Sequence, residues 1–268
     1  MKTTFTLYAE GCQAFGGVPS DHCFVGTDDG HDFNCFGRGT ESVSGARPIC
    51  KGTGSSKWAA LFYGTEGGPY DAYTAAGLHV RYDGVCHTAA NRVLVLTGDN
   101  VDARTAEGNA LAILMFGKFG FNLQPYIDSV TSTAQQMLRD SPGEIQPEDL
   151  QTVLNRIAYG QTAEAELDIL HADVQEQLKK TLPDVTGVLR ETFCAIYGDY
   201  QRDRSASFLE VAKTVPVGEQ IALNKLPKAL AAPWTSFVER LSKEVGADQF
   251  KNILGIDPEF AKKAFGAP

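Results

Sequence analysis

The 268-residue sequence predicts an α+β protein, with a strand-rich segment over residues 1–120 followed by an all-helical one over 121–268. Three observations carry this. The first hundred or so residues are rich in Gly, Thr, Phe and Tyr and break into short alternating runs separated by turn signals. From Cys86, apolar positions begin to recur at helical spacing. Beyond about residue 120 that spacing continues almost to the end, with an evident break at Ser141-Pro142-Gly143.

Taken in order, the start from Met1 to Tyr8 alternates polar and apolar residues like a strand and lacks the uninterrupted apolar core of a signal peptide. Export by the general secretory route is therefore not expected, and the chain is expected in the cytoplasm or delivered by a specialised secretion machine. Asp21 to Phe36 has the pattern of a β-hairpin: His22–Gly26 leads into the turn Thr27-Asp28-Asp29-Gly30, and His31–Phe36 returns. Asp-Gly supplies the positive φ that a tight turn needs, so Asp28 and Asp29 read as turn residues. Residues 37–57, with Gly, Ser and Thr throughout, read as a long loop, and Gly64 to Gly68 as another.

Cys86, Ala89, Ala90, Val93, Leu94 and Thr97 share one face of a helix that Gly98 can end, with Asp83-Gly84 as the turn before it. Ala110 to Phe116 is far too short for a membrane span, which needs roughly 20 residues, and reads as buried core. Pro147 starts a helix with Leu150, Val153, Leu154 and Ile157 on one face. A further helix near 162–181 carries Leu167, Leu170, Val174 and Leu178, and Asp257-Pro258 opens a short last one.

Composition narrows the functions. With 43% hydrophobic and 21% charged residues the chain can bury a sizeable core. A net charge of −9, spread over both halves and without a basic run, argues against nucleic-acid binding, which needs a cationic surface. Six cysteines include no C-x-x-C pair. His22, Cys23, His31 and Cys35 are dense enough to suggest a metal, yet strand alternation sends His22 and Cys23 to opposite faces, and neither a metal nor a cofactor is expected.

A thiol centre fits the spacing better. Cys86 sits in the first turn of its helix, where unpaired N–H groups favour a thiolate and its own N–H can meet a developing oxyanion. His22 leads the hairpin and Asn34 lies in the returning strand, so the turn can bring the two side chains together. An Asn carbonyl would accept the imidazole N–H and fix the tautomer that turns the other nitrogen toward Cys86. His79 is a second candidate base. His87, adjacent to Cys86, is expected to point about 100° away around the helix. Asn91 and Arg92 are expected either to touch substrate or, for Arg92, to form a surface ion pair. The competing structural reading makes Cys86 core packing and His22 a histidine satisfied by backbone.

The order of a histidine on a hairpin before a cysteine at a helix start resembles the circularly permuted papain-like cysteine peptidases, the superfamily of PPPDE-type, NlpC-like and lecithin:retinol acyltransferase-like proteins. PPPDE-type enzymes carry Tyr…Asn-Cys-Asn-x-Phe-x-Asn-Glu-Val…Leu-Thr-Gly around the nucleophile. Here Tyr82-Asp83-Gly84-Val85-Cys86-His87-Thr88-Ala89-Ala90-Asn91-Arg92-Val93 leads to Leu96-Thr97-Gly98. Cys86, Asn91, Val93 and the closing Leu-Thr-Gly match in kind, and Asn34 matches the third group that relatives carry about a dozen residues after the histidine. Val85 stands where the family has Asn, and His87 follows the nucleophile. The likeness spans about residues 5–100.

The resemblance implies a papain-like (NlpC-like) domain at 1–120 and a thiol hydrolase that cleaves an amide or isopeptide bond through a thioester. Cys86, His22 and Asn34 would be catalytic. Its substrate would be a protein, an isopeptide or a peptidoglycan-like amide, and the helical domain at 121–268 would shape the cleft, recognise a partner protein or inhibit. Two rivals stay open: an acyltransferase or transglutaminase-like enzyme using the same pair, and a non-catalytic binding module.

Overall fold

The computed structural model describes residues 2–14, 18–34, 45–63, 74–75, 78–79, 83–99, 101–103, 106–121, 123–178, 181–182, 184–215, 225–263 and 265. Its architecture is α+β. β1 (Thr3–Ala14) is the long central strand. It pairs antiparallel with β2 (Val18–Thr27), from Phe5↔Thr27 to Ala14↔Val18. On its other edge lies β4 (Arg47–Gly54), while β3 (Asp32–Phe33) adds to β2, giving the order β3-β2-β1-β4. Alternation sorts the side chains: Phe5, Leu7, Ala9, Cys23, Val25 and Phe33 enter the core, whereas Tyr8, His22 and Phe24 occupy the other side of the pleat, where Phe24 stacks with both neighbours.

The expected hairpin is present between β2 and β3, with Val25 opposite Phe33 and Gly30 at φ +94° in the turn. Asp29 fastens this turn. Its carboxylate accepts from Thr27, Ser56 and Thr3, which overcome the effect of burial and hold it below the usual aspartate range. Cys35 and Phe36, like residues 37–44 and Gly64 to Gly68, lie outside the described residues.

Residues 45–57 are not all loop. Arg47–Gly54 is a strand, and Ser56–Tyr63 forms helix α1. The glycines that suggest a loop serve a close approach of two chain segments. A Cβ on Gly52 would come within 2.8 Å of Thr97 Oγ1, and one on Gly54 within 3.0 Å of the Leu96 carbonyl oxygen. The Gly98 N–H donates to Thr53 O at 2.6 Å, closing that contact.

A short ladder, β5 (Thr74–Ala75) with β6 (Leu78–His79), precedes helix α2 (Cys86–Leu94). The Val85 N–H donates to Thr88 Oγ1 at 2.6 Å and fixes the start of α2. Its end comes at Leu94, short of Thr97, because the Leu94 carbonyl is taken by both the N–H and the hydroxyl of Thr97. Cys86, Ala89, Ala90, Val93 and Leu94 share a core with the sheet, and the small alanines let the helix lie close. Every residue of α2 is buried, so its polar side is internal too.

Helices α3 (Asn109–Phe116), α4 (Leu123–Asp140) and α5 (Pro147–Gly160) follow. Ala112, Ile113, Met115 and Phe116 of α3 are buried, as expected for that apolar stretch. The chain forms two compact units, Met1–Ala112 with Phe116–Gln161, and Ile113–Met115 with Thr162–Pro268. In the first, Tyr126, Val130, Ala134, Met137, Val153 and Ile157 belong to the same core as Cys86.

The second unit contains α6 (Ala163–Leu178), α7 (Gly187–Ala212), α8 (Lys225–Val245), α9 (Ala247–Leu254) and α10 (Pro258–Ala261). Phe193, Tyr197 and Tyr200 of α7 pack against Trp234 and Phe237 of α8. As expected, Asp257 caps α10, accepting from the Glu259 N–H at 2.9 Å. Among the described residues, no helix is long and apolar enough to cross a membrane.

Candidate functional site

His22 and Asn34 meet. The hairpin brings His22 Nε2 to 3.1 Å from Asn34 Oδ1, with the half-buried imidazole stacked on Phe24. An amide oxygen only accepts, so Nε2 carries the proton and Nδ1 the lone pair.

Cys86 opens α2, and its sulfur rests against the backbone of the strand that carries His22. Sγ lies 3.8 Å from Asp21 O, and the Cys23 N–H favours its thiolate form, so the backbone on either side of His22 flanks the sulfur. Among the described residues, the hydrogen bonds of the thiol go to Asp21 O and to His87 Nδ1, the latter at 3.6 Å. The expectation that His87 points away is therefore corrected. Side chains in the first helical turn lean toward the helix N-terminus, and the far ring nitrogen is anchored, with His87 Nε2 3.2 Å from Glu107 O.

That carbonyl is a hub. It accepts from the Asp21 N–H at 2.8 Å, from Ser20 Oγ at 3.2 Å and from His87 Nε2–H. The Asp21 carboxylate, buried, accepts from the Glu107 N–H at 2.6 Å and from both terminal nitrogens of Arg47. Residues 20–21, 87 and 107 thus form one bonded cluster around the sulfur. Because a carbonyl cannot donate, the His87 tautomer is fixed as well: Nε2 holds the proton and Nδ1 presents its lone pair to Sγ.

Burial dominates the electrostatics. It pushes the Cys86 thiol up to about 11, against the opposing pull of the N–H groups of Cys23, His87 and Cys86 itself. It lowers His87 to about 4, helped by the proximity of His22 and opposed by the Glu107 carbonyl. At neutral pH the resting pair is a thiol beside a neutral imidazole.

Asn91 and Arg92 neither face a substrate nor lie on the surface. Asn91 donates to Lys118 O at 3.2 Å and accepts from the Ala103 N–H at 2.8 Å. Arg92 donates to Phe119 O at 2.7 Å and Phe121 O at 3.1 Å, with its guanidinium 4.7 Å from the Tyr126 ring centroid. Burial lowers it to about 10, which leaves it charged. Both staple α2 to the chain that follows. Of His79 only the backbone, in β6, is described.

Sequence reading missed Asp21, Glu107 and the ring position of His87. Asp21 directly precedes His22, but nothing in the spacing announces Glu107, because its partners lie at sequence separations of 20 and 86. Asn109 was missed too. It is fully buried, and neither its amide nitrogen nor its oxygen is hydrogen-bonded among the described residues. Also among the described residues, no group of three His, Cys, Asp or Glu side chains is placed to hold a metal ion.

Fold and site together describe an α+β chain with a buried thiol at a helix start, hydrogen-bonded to one imidazole and backed by the strand that carries another. No family model, no curated protein and no solved structure matches this chain.

Proposed function

We propose that the chain is a thiol hydrolase acting on an amide or isopeptide bond of a protein or peptide-like substrate, with Cys86 as nucleophile, His22 as base and Asn34 as its orienter. One observation carries this reading. The His22–Asn34 bond of 3.1 Å lies on the strand whose backbone flanks the Cys86 sulfur. The pleat carries the His22 ring on the face of β2 away from the core that holds Cys86, so the proposed reaction requires the imidazole to reach the sulfur around that strand. His22 Nδ1 then takes the thiol proton as sulfur bonds to the substrate carbonyl carbon. The backbone N–H of Cys86 meets the oxyanion, and the His22 imidazolium then protonates the leaving amine. Water, deprotonated by the same imidazole, attacks the thioester, releases the acid and restores the thiol.

The test is to incubate the full chain with a panel of peptide and isopeptide amides, quench in acid, and map acyl adducts by mass spectrometry. An acyl thioester on Cys86, with release of the amine, is the expected result. His22→Gln slows acylation by about 100-fold or more, the range for loss of a positioned base, and Asn34→Ala slows it less. Absence of any adduct on Cys86 across the panel would favour a binding module. Release of an amide product when a second amine is supplied would identify an acyl-transfer enzyme in place of a hydrolase.

A further inference from the structure

Beside the Asp21 carbonyl, the thiol lies 3.6 Å from an imidazole other than the proposed base. We infer that His87 is a positioning residue of the thiol site: anchored through Nε2–H on Glu107, its Nδ1 accepts the Cys86 S–H, aims the sulfur, and leaves the proton there until His22 removes it. This rests on the thiol-hydrolase reading above and adds a residue that the reading does not use.

Three features support it. The anchoring carbonyl of Glu107 accepts from three donors and is held in place by the Asp21 N–H and by Ser20, so the ring cannot turn its other nitrogen toward the sulfur without breaking that cluster. A lone pair aimed at sulfur stabilises S–H and opposes a negative charge at the same place. The surroundings keep the ring neutral. Of the charged groups nearby, the Asp21 carboxylate is engaged by Arg47 and by the Glu107 N–H. Asp21, Glu10 and Glu107 act on Cys12, whose thiol opposes the ionisation of Cys86, and His22 disfavours a second positive charge on His87. A buried imidazole that resists protonation can accept a hydrogen bond without taking the proton. His22, held by Asn34, is the base of the proposed reaction, so the two histidines divide the work.

The experiment follows alkylation of Cys86 by iodoacetamide against pH, peptide by peptide, in the full chain and in His87→Gln and His22→Gln. A glutamine can still donate to Glu107 O but offers no acceptor at the Nδ1 position. The expected result is a midpoint for His87→Gln about one pH unit below that of the unmodified protein, hence alkylation about tenfold faster at pH 7. His22→Gln, which removes the proposed base, does not lower the midpoint. An unchanged or higher midpoint in His87→Gln, with slower alkylation, would overturn the inference and make His87 a bystander or the base itself.

Should His87→Gln fail to fold, imidazole ¹⁵N shifts of the unmodified protein decide the matter. A proton on Nε2 and a bare Nδ1 support the assignment; the reverse tautomer contradicts it. The two proposals fail separately. A shifted midpoint without any acyl adduct removes the hydrolase and keeps the contact, whereas acylation with an unshifted midpoint removes only the role of His87.

Discussion

His87 is a residue whose burial makes the stability of the fold depend on pH. Its folded value, about 4, lies below the ordinary 6.5. Below 6.5 the unfolded chain binds a proton that the folded chain refuses, so this contribution is complete above about pH 6.5 and is lost as pH falls toward 4. A shift of this size corresponds to about 3 kcal/mol. Urea unfolding at pH 7 and pH 4.5 should therefore show a smaller pH-dependent loss in His87→Gln than in the unmodified protein; equal losses would mean the ring is solvated. Asn109 gives a second test at this scale. Two buried polar atoms without a hydrogen-bond partner among the described residues disfavour folding, so Asn109→Leu, which keeps the same branched shape, should raise unfolding free energy by about 1 kcal/mol.

Elements differ in how much of them the sequence reveals. The hairpin and the His22–Asn34 pair are legible because both depend on two residues only twelve positions apart and one tight turn. The start of α2 is legible from Asp83-Gly84 and the helical spacing after Cys86. β4 is not legible, since Gly52 and Gly54 look like loop punctuation until Leu96, Thr97 and Val101 are seen to press on them. Nor is the polar side of α2. Arg92 reads as a surface cation by its chemistry, yet it satisfies two carbonyls of a segment 27 and 29 residues on. Arg92→Leu should leave those carbonyls without donors and lower unfolding free energy by about 3 kcal/mol or more, measured by urea denaturation. A loss below about 0.5 kcal/mol, as for a surface pair, would contradict this placement.

At the scale of the whole molecule, the residues around the thiol, namely Ser20, Asp21, His22, Asn34, Cys86, His87 and Glu107, all belong to the first unit. The second has its own internal polar anchor: Arg204 pairs with Glu166, both buried, and donates to Ile113 O at 2.7 Å. Glu166→Ala leaves that guanidinium without its counter-charge, at a cost of about 3–5 kcal/mol. Thermal unfolding should then show an earlier transition while the alkylation profile of Cys86 stays as it was. A change in that profile would show that the site depends on the second unit. Sequence periodicity marks α4 and α5 as helices but not that Tyr126, Val130, Val153 and Ile157 belong to the core of the first unit. The cluster joining residues 20–21 to 87 and 107 depends on contacts between distant stretches, which no spacing rule encodes.

The central claim, that Cys86 attacks a carbonyl with His22 taking its proton, is tested most directly by acid-quenched mass spectrometry of the full chain reacting with amide substrates. The account predicts one acylated peptide, the one containing Cys86, absent in Cys86→Ala and formed at least about 100-fold more slowly in His22→Gln. Acylation spread evenly over Cys12, Cys50 and Cys194, or an unaltered rate in His22→Gln, would contradict it.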